Sequence, residues 1–469
     1  MQMRIFDSIQ KRKVVFEPIK EGEVSIYVCG PTVYDDAHLG HARSALSFDM
    51  LNRTLKALGY KVTMAKNFTD IDDKIINKMH NSNKSLKEIT DYYIDRYLSE
   101  MEALGVKRAD IEPKATESID AIEQMINSLI KKGCAYRVDN GDIYFDTSKD
   151  NRYGTLSHMV NNEDDMQSRI CQSDQKRDPK DFALWKACSE PEICFDTTLG
   201  KGRPGWHIEC SAMIEKHFDN KGEYRIDIHG GGADLLFPHH ENEASQTRCA
   251  TGCEIAKYWM HNGFVQIDGE KMSKSLGNSF FLKDALGVYG GELLRFYLIS
   301  VHYRNDFNFN EEDLLSTKKR LDKLYRLKKR VYGIKSGTLD SEFKDTLLEA
   351  MSDDLNSSKA LSVIDTMVSV ANDRLDKEPK NRQFKQAIVA NIEYIDTLMG
   401  FGGSDPFEWF QQGISDEQKS KINKLIAQRG EAKKAKDFKK ADEIREELLG
   451  MGVQLMDTNE GTKWERVDR

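Results

Sequence analysis

A strand, a helix and a second strand follow one another within residues 24–68, and that order leaves few folds open. Val24-Ser25-Ile26-Tyr27-Val28 alternates as a strand does and stops at Cys29-Gly30-Pro31-Thr32. After a loop, His38-Leu39-Gly40-His41 opens a helix predicted to run to about Leu58. Ala45, Phe48, Leu51, Leu55 and Leu58 recur at the spacing of one helical face. Gly59-Tyr60 closes that helix, and Lys61 to Phe68 reads as the next strand. Two strands joined through a helix form a βαβ unit of a parallel sheet. In open sheets of this kind, ligands gather at the carboxyl ends of the strands. Cys29 stands at such an end.

Further along, Asp70 to His80 is predicted as helix, and helical patterns fill 86 to 133. The pattern breaks between about 134 and 200, where short strand-like pieces such as Asp142-Ile143-Tyr144-Phe145 alternate with polar loops. This stretch reads as an insertion into the first domain. Helix resumes at 204–216, Tyr224 to Ile228 is strand-like and runs into glycines 230–232, and Pro238 is placed to start another helix. Beyond about residue 310 strands give way to amphipathic helices, with Leu314, Leu321, Leu324, Leu327 and Val331 as one apolar stripe. Gly400-Phe401-Gly402-Gly403-Ser404-Asp405-Pro406 reads as a linker before a small mixed tail.

At 469 residues the chain is too long for one core, and three or four domains are expected. It is 39% hydrophobic and 31% charged, which excludes a disordered chain. No run approaches the length of a membrane span, and the amino-terminal residues lack the apolar core of a signal peptide. A soluble cytoplasmic protein without membrane partners is expected. The 8 cysteines are scattered, which argues against a secreted disulfide framework. The net charge of −8 repels phosphates, so any nucleic acid must be held by local basic patches.

Two constellations carry chemistry. In Phe237-Pro238-His239-His240-Glu241-Asn242-Glu243, His239 and Glu243 lie four apart, on one helical face, while His240 and Glu241 point elsewhere. Imidazole, carboxylate and thiolate are zinc ligands, and Cys29 and Cys210 are thiols that could converge with them. Periodicity alone leaves the bland reading open, an exposed polar pair and a core cysteine. Cys249 and Cys253 are a second candidate pair, better read as two buried cysteines. The other constellation concerns phosphate. His38 and His41 flank Gly40 at a helix start, where free N–H groups and the dipole attract anions. Gly40 would let a flat ring approach the backbone. The stretch 268–278 carries Lys271, Ser273 and Lys274 between glycines and could close on a triphosphate. Each alone is equally well a solvated helix start or a basic surface loop.

Together, in this order, His38-Leu39-Gly40-His41 and Lys271-Met272-Ser273-Lys274-Ser275 resemble the two signatures of class I aminoacyl-tRNA synthetases, with Leu39 in place of the usual isoleucine. The stretches 29–43, 68–74, 181–186, 205–213 and 229–243 resemble the cysteinyl-tRNA synthetase family specifically, and the likeness spans nearly the whole chain. It implies one zinc ion per chain held by Cys29, Cys210, His239 and Glu243, with His240 off the metal. It implies ATP bound by His38, Gly40, His41, Lys271, Ser273 and Lys274, with His38, His41, Lys271 and Lys274 catalytic and Mg²⁺ accompanying the nucleotide. Thr69, Trp206, His207 and Asp234 would line the amino-acid pocket, Asp234 pairing with the substrate ammonium. Thr69 and Trp206 have bland readings too, a helix cap and simple core.

The implied fold is a Rossmann-like parallel-sheet catalytic domain (1–118 and 201–262) with an inserted α+β subdomain (119–200). A loop-bearing subdomain (263–315), a helical bundle that binds tRNA (316–405) and an anticodon-binding domain (406–469) follow. The implied partners are ATP, L-cysteine and tRNA(Cys), not DNA, and the chain is expected to be a monomer.

Cysteine and serine differ only in sulfur against oxygen, and an apolar pocket separates such near-isosteres poorly. Zinc binds thiolate strongly and lowers a thiol's pKa, so selectivity is expected from the metal, with the substrate sulfur as a fifth ligand and no editing domain. Basic runs at Lys318–Arg330 (eight basic residues against one acidic) and Lys419–Lys440 (nine against two) are candidate RNA contacts. Trp464 and Phe438 are candidate stacking platforms, or simply core. Three other readings remain: a cysteine ligase acting on an amino sugar, which would lack the anticodon tail; a non-catalytic zinc-containing RNA-binding protein, which would not need the lysine loop; and a zinc hydrolase. If Lys274 stabilises the leaving pyrophosphate, Lys274→Ala lowers the rate of cysteine activation far more than it weakens cysteine binding. Pre-steady-state adenylate formation beside equilibrium binding of cysteine separates the two.

Overall fold

The structure, a computed structural model, describes residues 1–158, 175–188, 193–267, 270–271, 280–458 and 461–467. The chain forms two compact units, residues 1–317 with 346–362, and residues 318–345 with 363–469.

The first unit is built on a four-stranded parallel sheet. β1 (Glu23–Val28), α1 (Leu39–Ala57) and β2 (Lys61–Lys66) form the expected βαβ unit, with Val28 opposite Lys66. α2 (Trp206–His217), β3 (Tyr224–Gly232), α3 (Glu241–Thr251) and β4 (Glu254–Asn262) complete it. The spatial order is β4-β3-β1-β2. The chain therefore steps outward from β1 to β2, then returns to the other side of β1. That reversal splays the connections apart and opens a crevice between the ends of β1 and β3.

α1 covers one face. Phe48 lies so close to Gly230 that a Cβ there would be 2.1 Å from its ring. The predicted apolar positions Ala45, Phe48, Leu51 and Leu55 are buried, and so are Arg43 and Asp49 on the far side. The far side is covered because helix Gly291–Leu298 packs there. α2 covers the opposite face, where Cys210, Met213 and Ile214 share a core with Tyr27, Cys29, Ala65, Ile226 and Trp259.

The insertion holds an antiparallel meander of Ala135–Arg137, Ile143–Phe145, Phe182–Ala187 and Gly202–Pro204. Its core joins Phe145, Leu184 and Trp185 to helix Ile119–Lys131 and to Ile208 and Ala212 of α2. Cys188 and Cys194 form a disulfide, so the scattered cysteines do include one pair. Cys249 packs on the insertion's core, whereas Cys253 lies past the end of α3, so these two do not form a helical pair.

Three expected boundaries shift for physical reasons. The helix predicted from Asp70 starts at Asp73, because Asp70 instead accepts the Thr116 N–H at 2.9 Å and Asp72 is the N-cap. The helical pattern over 86–133 divides into Leu86–Ala103 and Ile119–Lys131, because residues 111 and 114 bridge to Ala65 and Phe68 along the sheet edge. The helix expected from Pro238 begins at Glu241, after an irregular turn in which Phe237 is extended and the Phe237–Pro238 peptide is cis.

In the second unit, helices Asp416–Lys434 and Phe438–Gly450 pack with a hairpin of Val453–Thr458 and Gly461–Arg466. Ile422, Ile444, Leu448, Val453 and Trp464 are its core. Trp464 is therefore core and not a stacking platform, while Phe438 is 64% exposed. Much of the basic run 318–330 is used internally. Arg320 pairs with Asp365 at 2.6 Å, Arg330 with Asp376 at 2.5 Å, and Lys329 with Glu465. Lys328 donates to the carbonyls of Gly402, Gly403 and Ser404 at 2.7, 3.0 and 2.7 Å. In the second run Lys421, Lys424, Lys436 and Lys440 stay exposed.

α1 is locked by a fully buried pair. The Arg295 guanidinium donates to Asp49 at 2.5 Å and to the carbonyls of Leu104 and Gly105 at 3.2 and 3.1 Å. Burial works to raise the Asp49 pKa, but Arg295 and Arg53 outweigh it and hold it below 3.8. The carboxylate's contribution to stability is thus complete above about pH 4 and is lost as pH falls through the depressed folded value. Arg295→Ala removes the fully buried partner and leaves Asp49 with the Arg53 guanidinium at 2.8 Å and the Lys107 N–H at 3.0 Å, which is expected to cost about 3 kcal/mol in denaturant unfolding at neutral pH. A loss under about 1 kcal/mol would contradict the role given to the pair.

Candidate active site

The crevice is a cavity of about 340 Å³ at the strand ends, walled by Cys29, Gly30, His38, Gly40, His41, Trp206, Gly232 and Asp234 among others. Two groups of side chains meet there, one on each face of the sheet.

On the α1 face stand His38 and His41. His38 is the N-cap: its Nδ1 accepts the Gly40 N–H at 3.1 Å, and its own N–H donates to Nδ1 of His41 at 3.1 Å. An imidazole whose Nδ1 accepts carries its neutral-form proton on Nε2. Both rings therefore hold an Nε2–H donor, with centroids 3.9 Å apart, at the positive end of α1. A side chain at position 40 would put Cβ 2.8 Å from the His38 ring. The absence of a side chain at 40 thus leaves room for the His38 ring. Lys271 closes a short antiparallel pairing with Gln266, while Ser273 and Lys274 lie outside the described residues.

On the α2 face lies a buried cluster of donors. Cys29 Sγ is 3.7 Å from Cys210 Sγ and 3.4 Å from Glu243 Oε1. His239 Nε2 is 2.9 Å from Glu243 Oε1 and 3.8 Å from Cys210 Sγ. One ligand atom from each of these four lies within 4.8 Å of the others, the convergence expected of them. A second set shares two members: Cys29, His229, His240 and Glu243. His229 Nε2 meets Glu243 Oε2 at 2.7 Å, and His240 Nε2 lies 3.3 Å from Cys29 Sγ. His240 therefore turns toward the cluster, not away from it as its helical phase suggests. The irregular turn at 236–240 lets two successive imidazoles enter the core. Gly231 makes room, since a Cβ there would be 2.9 Å from the His240 ring. His240 Nδ1 is hydrogen-bonded to His261 at 2.8 Å, and His261 to the Ser8 hydroxyl at 2.7 Å.

Charge in this cluster is tightly balanced. Burial opposes the Glu243 carboxylate, but His229 and His239 overcome it and keep its pKa well below 4.5. Burial also works against a charged His239, yet Glu243 and Cys210 lift its pKa to about 10. Burial tends to raise Cys210, while hydrogen bonds from Cys29 and His239 bring it down to about 6. Cys29 is pushed well up by burial and by Cys210. Burial pushes His240 well down and His261 to about 3. Burial, aided by the neighbouring His239, also lowers His207.

The expected amino-acid residues divide. Trp206, 39% exposed, and Asp234 line the cavity. Trp206 stacks on His239 with centroids 4.1 Å apart. Thr69 and His207 sit one layer back. Thr69 is buried and donates to Glu209 at 2.8 Å, so it is not the cap of the following helix. His207 Nδ1 is bonded to His239 Nδ1 at 3.0 Å. Sequence reasoning missed His229 and His261, whose only signal is their place at the ends of β3 and β4.

Comparison with known proteins identifies the family of the chain. A family model described as the tRNA synthetases class I (C) catalytic domain matches residues 15–319. Models of the DALR domain and the cysteinyl-tRNA ligase anticodon binding domain match 347–401 and 415–464. The chain is similar to the cysteine–tRNA ligase of a Sulfurovum species, 70% identical over 99% of this chain and 100% of that one. It is 63% identical to that of a Nitratiruptor species over 99% and 100%. Among solved structures, methionyl-tRNA synthetase of Mycobacterium tuberculosis with methionyl-adenylate aligns at TM-score 0.58 and 13% identity, over 86% of this chain and 94% of that one. A leucyl-tRNA synthetase–tRNA complex from Agrobacterium radiobacter aligns at TM-score 0.59 and 11% identity, over 85% and 86%, a likeness of fold alone.

The capping geometry has a direct spectroscopic consequence. Imidazole ¹⁵N shifts should show the Nε2–H tautomer for neutral His38 and His41 alike. An Nδ1–H signal from either ring would overturn the arrangement.

Proposed function

The chain belongs to the cysteine–tRNA ligase family of the class I aminoacyl-tRNA synthetases, and from that premise we propose that it activates L-cysteine with ATP and transfers it to the terminal ribose of tRNA(Cys). The observation that carries the reading is one cavity with a phosphate-seeking helix end on one face of the sheet and a thiol–imidazole–carboxylate cluster on the other.

The donor set suits zinc. Two soft thiols, an imidazole and a carboxylate, all buried and within 4.8 Å of one another, are donor types that zinc accepts. Cys29, Cys210, His239 and Glu243 would hold the ion, because His239, which distinguishes this set, is stacked on cavity-lining Trp206. His229 stacks on Trp259, which is 1% exposed, and so belongs to the layer beneath. Bound there, zinc supplies preference for a thiol over a hydroxyl. His229, His240 and His207 then act from behind, each bonded to a ligand and fixing its orientation.

The remaining roles follow from position. His38 and His41 offer Nε2–H to ATP phosphates, and Lys271, Ser273 and Lys274 approach the same phosphates from the loop, with Mg²⁺ accompanying ATP. Asp234 receives the substrate ammonium beside Trp206. A general base is unnecessary, because the attacking carboxylate is already ionised. The carboxylate attacks the α-phosphorus with loss of pyrophosphate, and the ribose hydroxyl then attacks the acyl carbon with loss of AMP and release of the hydroxyl proton. We assign the domain division expected from the sequence. Exposed Phe438 with Lys436 and Lys440 is our choice of RNA-facing surface in the second unit. We assign a monomer in the cytoplasm; no described helix is long and apolar enough to cross a membrane. The relatives' full-length likeness favours tRNA over an amino sugar as acceptor.

The deciding measurement is ATP–pyrophosphate exchange by protein of known zinc content, with cysteine and serine in parallel. Exchange with cysteine at least about 100-fold above serine is expected, the order of discrimination that an apolar pocket alone barely reaches. Equal exchange with both would sink the metal-selectivity reading, and no exchange with either the catalytic one.

A further inference from the structure

One flank of the cavity carries cations that no role so far has used. Lys66 ends β2, opposite Val28 and so on the face covered by α1. It lines the cavity with Lys74, Tyr34 and Tyr97. Its neighbours on this flank are neutralised within the fold. Lys283 and Arg96 pair with Asp36, each at 2.7 Å, and Lys78 lies 3.8 Å from Asp35. Lys66 and Lys74 differ: among the described residues neither has a carboxylate within ion-pair distance. Lys66 is half-buried, and its ammonium is held by the Tyr97 hydroxyl and lies 5.0 Å from that ring's centroid. Tyr97 is itself buried, edge-on to Phe68 at 5.9 Å. Lys74 rests 5.3 Å from the centroid of Tyr34.

A half-buried ammonium without a counter-charge is costly unless an anion completes it. Here the fold aims one into the cavity and fixes its direction with a phenol oxygen. The face matters as well. Val28 and Lys66 share the face of α1, with His38 and His41, whereas the next residue, Cys29, lies in the opposite core with Cys210. The cation therefore addresses the phosphate side of the cavity and not the thiol side.

We propose that Lys66, oriented by Tyr97 and assisted by Lys74, is a phosphate-binding station on this wall. It rests on the ligase reading in that two phosphate sources then reach the cavity: the triphosphate of ATP with its pyrophosphate product, and the phosphodiesters at the acceptor end of tRNA. Both present the same oxyanion to an ammonium donor.

The test uses full-length Lys66→Gln, Lys66→Arg, Lys74→Ala and Tyr97→Phe. Calorimetric binding of Mg–ATP and of inorganic pyrophosphate is read beside filter binding of tRNA across salt concentrations. Thermal melting screens each variant for folding, and exposed Lys74 gives a variant whose loss cannot unfold the core. If the source is the triphosphate, Lys66→Gln weakens ATP or pyrophosphate roughly ten-fold or more, the size of one charge-assisted hydrogen bond. Lys66→Arg then retains most of the affinity, and the KM for cysteine stays within about two-fold in exchange assays. If the source is tRNA, nucleotide binding is unchanged, while tRNA affinity falls and its salt slope shrinks by about one. Unchanged binding of both, in folded Lys66→Gln and Lys74→Ala alike, overturns the station. So does a loss confined to cysteine. Binding is read without turnover, so failure of the ligase reading, no exchange by the wild type, remains distinguishable.

Discussion

A carboxylate that never meets water organises this active site. Glu243 is fully buried, and its two oxygens are divided between His229 on one side and His239 with Cys29 on the other. An ionised carboxylate in such a place is tolerated only if each oxygen has a charged or strongly polar partner. That requirement reaches outward. It asks for imidazoles at the end of β3 and in the turn before α3, and for a glycine at 231 so that backbone and ring can approach. The rest of α3 follows suit. Glu241 accepts the Ser157 N–H at 2.8 Å, and Asn242 accepts the Tyr153 hydroxyl at 2.7 Å. A segment reading as a charged surface helix is thus a buried polar element roofed by residues of the insertion.

The strand order decides where the two chemistries meet. Because the chain reverses at β1, the ends of β1 and β3 face an open crevice. Side chains alternate along a strand, so neighbours at a strand end point to opposite faces. Val28 and Cys29 make this explicit: one faces α1 and the phosphate-seeking histidines, the other faces α2 and the metal-type donors. A substrate carboxylate presented to an α-phosphate needs both faces within a few ångströms. The pleat of one strand provides that without any loop having to reach across.

Legibility in the sequence tracked the range of the interactions. The βαβ unit, the cap histidines and the break before the insertion rest on local periodicity and could be read directly. The four donors Cys29, Cys210, His239 and Glu243 lie as much as 214 residues apart, and their convergence was legible only through resemblance to a family. What escaped was what depends on packing: His229 and His261 are single imidazoles at strand ends with no spacing to betray them. Trp464 and the run 318–330 show the converse. Their composition invites an RNA role, but one is core and much of the other is paired inside its own unit, because a charged residue's partner is a matter of tertiary structure.

The same distinction weighs charges at the cavity. Around its phosphate-side flank most cations already have carboxylates, so their net field is small and their role is to hold Asp35, Asp36 and Glu100 in place. A cation contributes to ligand binding only to the extent that folding has left it unpaired, since a pre-existing ion pair must be broken or shared before the ligand benefits. Counting basic residues overestimates such a surface. Counting those whose geometry is fixed but whose charge is not answered identifies the few positions where an incoming anion replaces water and not a carboxylate.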